Sequence, residues 1–148
     1  MKYRTFIFNI LILATLIISQ VYSQQWKQLP GSAVDISIGA DGSLWIVGTG
    51  GEKLGNYLLK YNFENQEWEK SPTGLGIKIS VDPKGRPWII NKKGKIFRKK
   101  GKNWQELPGS ATDICANQPA AVYIAGTDER DLGYSIFKWN KLPLLCCF

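Results

Sequence analysis

Two stretches 78 positions apart read almost alike: WKQLPGSAVDI at residues 26–36 and WQELPGSATDI at residues 104–114. The match continues without a gap from 26–62 onto 104–140. It pairs Leu29 with Leu107, Pro30 with Pro108, Gly31 with Gly109 and Asp35 with Asp113, then Trp45 with Tyr123, Gly48 with Gly126, Gly55 with Gly133, Lys60 with Lys138 and Asn62 with Asn140. Self-similarity at a fixed spacing is the mark of a repeat architecture, in which one unit buries its apolar face only by stacking on its neighbours. A divergent third unit lies between the copies at 68–103, where Ile79, Gly85 and Trp88 fall at the places of Ile36, Gly42 and Trp45. The tryptophan-to-tryptophan steps are therefore 42 and 36 residues, from Trp26 to Trp68 to Trp104.

Each unit reads as strands. In the first, DISI, SLWIV and YLLKYN are short apolar or aromatic runs separated by Ala40-Asp41-Gly42 and by a glycine-rich loop at 48–55. In the middle unit IKISV, RPWII and KIFRK repeat the plan, and Asp82-Pro83-Lys84-Gly85 is a type I turn, with proline at its fixed-φ position and glycine last. A further strand carries each leading tryptophan, as in QEWEK and NWQEL. Four short strands in about 40 residues is the size of one β-propeller blade, a four-stranded antiparallel sheet covered on both faces. Coverage on both faces suits the unbroken apolar run Leu44-Trp45-Ile46-Val47. The expected fold is all-β, with about three blades from units near 26–67, 68–103 and 104–140 and an irregular tail at 141–148.

The first residues have a different logic. Lys2 and Arg4 precede an apolar run over 6–18 and small residues near Ser23, the pattern of a secretory signal peptide cut after Ser23. The alternative is an uncleaved anchor, but the run is shorter than the ~20 residues a span needs, and Asn9 interrupts it. The expected product, residues 24–148, is secreted and has no membrane span. It carries 17 basic against 12 acidic residues, a net charge of +5, which favours anionic partners. Three cysteines, Cys115, Cys146 and Cys147, imply no disulfide framework.

Catalysis finds little to stand on. The chain has no histidine, which removes histidine-based triads and the usual zinc sites. Asp35 and Asp113 recur at equivalent places just ahead of a strand, where a turn-capping aspartate belongs. GTGGEKLG at 48–55 lacks the Lys-Ser/Thr ending of a phosphate-binding loop and a helix to follow it. No enzyme activity, metal or cofactor is expected, and no nucleic-acid partner.

LPGSAVDI, ADGSLWIVG, YLLKYN and EWEK, alternating with the shorter GIKISVDPKGRPWIINKKGKIFR, resemble the tectonin repeat of tectonins, tachylectin-like lectins and fish-egg lectins. The resemblance spans nearly everything between the leader and Asn140. It implies a β-propeller, usually of six blades, and in the secreted members binding of bacterial or other foreign-surface glycans such as lipopolysaccharide. Sugar faces pack on aromatic rings while polar side chains take the hydroxyls. The aromatic candidates are Trp45, Trp88 and Tyr123, equivalent in the three units; Arg86 and Asn91, with Asn56 and Tyr57, are polar neighbours. The competing reading of the three aromatics is packing between sheets. Lys92, Lys93, Lys95, Arg98, Lys99, Lys100 and Lys102 lie within eleven residues and suggest contact with an anionic polysaccharide. The competing reading of that run is a hairpin whose lysines keep an edge strand soluble. Two function classes follow: a secreted, non-catalytic lectin, or a structural or protein-interaction propeller with no sugar site.

Three blades are fewer than a closed propeller needs. Trp26, Trp68 and Trp104 each lead a strand, while the next such place, after the third set of inner strands, is Cys146. The strand led by Trp26 could complete the last blade of a second copy, giving a six-blade homodimer. The competing reading is a truncated chain, which the KLPLLCCF ending favours.

Overall fold

The computed structural model describes residues 25–116 and 121–140. The leader at 1–23, the tail at 141–148 and, with the tail, Cys146 and Cys147 lie outside the described residues. Among the described residues eleven strands form three antiparallel sheets. Blade 1 is β1 (Ala33–Ile38), β2 (Leu44–Glu52), β3 (Gly55–Asn62) and β4 (Glu67–Gly76), paired in that order. Blade 2 is β5 (Lys78–Val81), β6 (Pro87–Ile90), β7 (Lys95–Lys100) and β8 (Asn103–Ser110). Blade 3 has three strands among the described residues: β9 (Asp113–Cys115), β10 (Val122–Arg130) and β11 (Gly133–Trp139).

The turns are chemically specified. Asp82 O accepts the Gly85 amide at 2.9 Å, closing the turn expected at 82–85, and Gly85 has φ +74°. The 48–55 stretch is not an inter-strand loop as expected. β2 runs through Gly51 to Glu52 and β3 restarts at Gly55, so only Lys53 and Leu54 turn. The register shifts between Val47 and Gly51, where the backbones lie so close that a Cβ on Gly51 would fall 2.4 Å from the Asn56 Cα. Glycine permits a paired but irregular strand there.

The blades stack face to face. The trailing face of blade 1 presents Trp45, Val47 and Leu58 to Ile79, Val81 and Ile89 of blade 2, with Phe97 and Trp104 against the cluster. The trailing face of blade 2 repeats this, setting Trp88, Ile90 and Ile96 against Ile114, Ala116 and Val122 of blade 3. Val47, Leu58, Val81, Ile89 and Ile90 are at most 1% exposed, and each such side chain contributes about 1.5–3 kcal/mol by leaving water. The inner strands are latched as well. Asp35 Oδ2 accepts the Ile79 amide at 2.7 Å and Ser37 Oγ the Val81 amide at 2.9 Å. One blade on, Ser80 Oγ accepts the Ala116 amide at 2.8 Å. The aspartate read from sequence as a turn cap is therefore an inter-blade latch inside β1, because its neighbour is the next blade and not its own turn.

The repeated phrase marks each crossing between blades. Trp68 on β4 lies against Gly31, just ahead of β1 of the same blade, and its indole Nε1 donates to Pro30 O at 2.6 Å. Trp104 on β8 lies likewise against Gly74, just ahead of β5. Gly31, Gly74 and Gly109 have φ of +98°, +94° and +96°, a left-handed conformation that favours glycine and leaves the backbone bare for the ring. The strands of Trp68 and Trp104 thus close the blade before them. Trp26 differs from expectation: residues 25–29 form no strand and its ring is fully exposed, with no strand beside it among the described residues.

Candidate functional site

The sugar-site candidates do not gather in one place. Trp88 is 3% and Trp45 9% exposed, both rings filling the inter-blade cores, and Tyr123 is 39% exposed on the trailing face of blade 3. Asn91 is buried, its Oδ1 accepting the Lys93 and Lys95 amides across a turn. Arg86 is spent on Asp82, to which it donates from Nε at 2.8 Å and from a terminal nitrogen at 2.8 Å. Burial alone would raise the Asp82 pKa, but bonds from the Arg86 side chain, the Arg86 and Lys84 amides and the Trp88 indole hold the carboxyl below its usual range. Tyr57 donates its hydroxyl to Glu52 at 3.0 Å, and Asn56 sits in the β2–β3 hairpin.

The basic run divides. β7 is the third strand of its blade, paired on both sides, so it is not an edge strand. Lys95 pairs with Glu106 at 2.6 Å, and Arg98 lies over the Trp88 ring at 5.2 Å and donates to Gln105. Lys92, Lys93 and Lys100 project into solvent. Lys99 and Lys102 instead reach a cleft of about 510 Å³ between blades 1 and 2, to which Lys60 of blade 1 adds a third cation; the Lys70 ammonium turns to the other face of blade 1 and lies 3.2 Å from the Tyr57 ring centroid. Trp45, Ser71 and Pro72 complete its wall, and Glu69 is the single acid lining it. Glu69 accepts from Asn62 Nδ2 at 2.7 Å. Burial pushes the Lys99 ammonium down from its ordinary pKa; it lies 5.0 Å over the Trp104 ring and donates to Lys102 O at 3.2 Å.

The indole nitrogen of Trp45 is buried with no hydrogen-bond partner, unlike that of Trp88, which donates to Asp82 Oδ2 at 3.4 Å. The place of Asp82 is taken in blade 1 by Gly39. There a Cβ would fall 2.5 Å from Asp41 Oδ1 and 2.9 Å from Val81 Cγ1, so the acceptor cannot be restored by a larger residue. The cleft wall therefore holds a donor whose missing bond costs about 1–3 kcal/mol. Sequence reasoning missed Lys60. The signal within reach was the recurrence of a cation opposite the mid-strand aromatic, Trp45 with Lys60, Trp88 with Arg98 and Tyr123 with Lys138.

A second concavity, of about 460 Å³, lies between blades 2 and 3 beside the outer strand of blade 3 and is mostly apolar, with Ile96, Leu107, Gly109, Ile124, Phe137 and Trp139 among its walls. Among the described residues no group of acids and cysteines could hold a metal ion, and no helix is long and apolar enough to cross a membrane.

Sheets stacked in this way, with the first strand of each innermost, define consecutive blades of a β-propeller. One solved structure similar to this chain is described as YCF48 bound to D1 peptide. It matches at 20% identity and a TM-score of 0.53, over 64% of this chain and 33% of that one, so the chain spans about a third of its length. That likeness supports the fold. No family model and no curated protein matches the sequence.

Proposed function

We propose that the chain is a secreted, non-catalytic lectin-like protein that binds anionic glycans, such as lipopolysaccharide or another acidic polysaccharide, in the cleft between blades 1 and 2. The observation that carries the reading is the convergence of Lys60, Lys99 and Lys102, from two blades, on a concave wall with a single acid. Cations gathered in a cleft focus the field on an incoming anion. The resemblance to tectonin repeats and the leader pattern point the same way.

The test is binding of the full chain to immobilised lipopolysaccharide and heparin. The Lys60→Gln/Lys102→Gln pair should weaken binding about tenfold or more, each charge-assisted contact being worth roughly 1.5 kcal/mol. The control pair Lys92→Gln/Lys93→Gln, outside the cleft, should cost less than about twofold. Equal losses from both pairs would reduce the cleft to diffuse charge, and no binding to any acidic glycan would sink the lectin reading.

A second reading, a protein-interaction propeller, has one observation in its favour: the apolar groove beside blade 3 is open on a β-sheet, and the similar YCF48 structure holds a peptide. Binding of an extended peptide without any glycan affinity would favour it.

A further inference from the structure

Among the described residues the two end faces of the three-blade stack are apolar and uncovered. On the leading face of blade 1, Val34, Ile36 and Ile38 are 55–60% exposed. The places of Ile36 and Ile38 in blade 2 are Ile79 and Val81, which are 4% and 0% exposed because blade 1 covers them. On the trailing face of blade 3, Ile136 is 79% exposed, while its counterparts Leu58 and Ile96 are 0% and 4% exposed. Ile36, Ile38 and Ile136, open at the ends, thus occupy places that are closed elsewhere in the same chain by a surface of the kind found at the other end.

The groove beside blade 3 has a matching explanation. Trp104 occupies the corresponding slot between blades 1 and 2, packed against their core with its indole on Gly74. In blade 3 the equivalent pad, Gly109, has only the Ile96 Cδ1 atom within 4 Å of a built Cβ, at 3.9 Å. The groove is therefore shaped for a strand that carries a tryptophan. Trp26, which begins the other copy of the phrase, is 102% exposed and so does not fill its own chain's groove.

We propose that residues 26–38 of a second copy dock on blade 3, and that two copies exchange these segments to close one propeller ring with two-fold symmetry. The segment does between chains what 104–116 does within one. Trp26 pairs opposite Trp139 as Trp104 pairs opposite Lys99, and Leu29 opposite Ile136 as Leu107 opposite Ile96. The indole lies on Gly109 and donates to Pro108 O, as Trp68 does to Pro30 O. β1 of the second copy then lies beside β9. There the Asp113 carboxylate, 67% exposed and 3.8 Å from Lys78, takes the Ile36 amide of the second copy, which in the single chain donates to its own Asp35 Oδ1 at 3.0 Å, as Asp35 Oδ2 takes that of Ile79. Two heterologous contacts of this kind close a ring and leave no sheet face uncovered. The near-identity of the two phrases follows: both must make the same crossing. One departure is informative. Glu69 lies opposite Lys60 in blade 1, but Lys27 would lie opposite Lys138, so like charges face each other in the exchanged pairing.

The proposal stands independently of any glycan site. Its test is the solution mass of the full chain by light scattering and sedimentation. The wild type should be a dimer. Trp26→Ala, made in an exposed segment that no fold contact depends on, should weaken the dimer about thirtyfold or more, as expected for a central tryptophan anchor. Lys27→Glu should tighten it about threefold, because it restores the opposite-charge pairing of blade 1. Gly109→Val, which fills the pad, should give a monomer. A wild-type monomer at high concentration would overturn the proposal, whether residues 141–148 or another protein fills the groove. So would a dimer indifferent to Trp26→Ala, and open-ended polymers would overturn the closed ring.

Discussion

Asp35 and Asp113 are the same residue in the same phrase, yet removing them should have unequal consequences within one chain. Asp35 Oδ2 accepts the amide of Ile79, a residue only 4% exposed, at 2.7 Å. Asp35→Ala strands that amide between blades and removes a charge-assisted bond, at a cost of about 2 kcal/mol within the usual range of roughly 1.5–3. Asp35→Asn keeps an oxygen in place without the charge and should cost about half as much. Asp113 has a side chain 67% exposed and a 3.8 Å ion pair with Lys78, so Asp113→Ala should cost about 0.5 kcal/mol or less. The assay is urea unfolding followed by tryptophan fluorescence, with all variants built on Trp26→Ala so that a second copy does not contribute. The slope with urea should stay constant, so that midpoints report stability. A 2 kcal/mol loss is a large part of the roughly 5–15 kcal/mol of an ordinary domain and lowers the midpoint visibly. Equal losses at the two aspartates, or a loss below about 0.5 kcal/mol at Asp35, would refute the latch.

Two further outcomes follow from packing and charge. Leu58→Ala should cost about 2–5 kcal/mol, since Leu58 is 0% exposed between blades 1 and 2, whereas Ile136→Ala at the equivalent, 79% exposed place should cost under about 0.5 kcal/mol in the same background; the check is calorimetric unfolding. Asp82 is held below the usual carboxylate range, so its bonds stabilise the fold above the unfolded-state pKa of 3.8, and that stabilisation is lost as pH falls through the lowered native value. Asp82→Asn should destabilise near neutral pH by about 2 kcal/mol and flatten the fall in stability below pH ~4, measured as urea midpoint against pH.

Blade-sized units, the turn at 82–85 and the mid-strand aromatics were legible because each rests on local chemistry: alternation along a strand, glycine and proline at fixed turn places, repetition at fixed spacing. The role of Asp35 was not, because a side chain ahead of an apolar run looks the same whether it caps its own turn or holds the next sheet. The cleft was half legible. Lys99 and Lys102 stood out as part of a dense run, but Lys60 is an isolated cation that joins them only when blade 1 stacks on blade 2. The same stacking withdrew Trp45 and Trp88 from the surface.

By itself the sequence determined that this chain is built from repeated antiparallel sheets and where one gives way to the next. A strand's pattern of apolar and polar residues, and the glycine that lets a tryptophan rest on backbone, are short-range properties. Only the tertiary structure decided which faces are covered, where three lysines meet, and that the phrase at 104–114 lies between two blades while the phrase at 26–36 lies open. Those outcomes depend on which sheet stands beside which, and the residues that meet there lie some 40 positions apart, as Asp35 and Ile79 do.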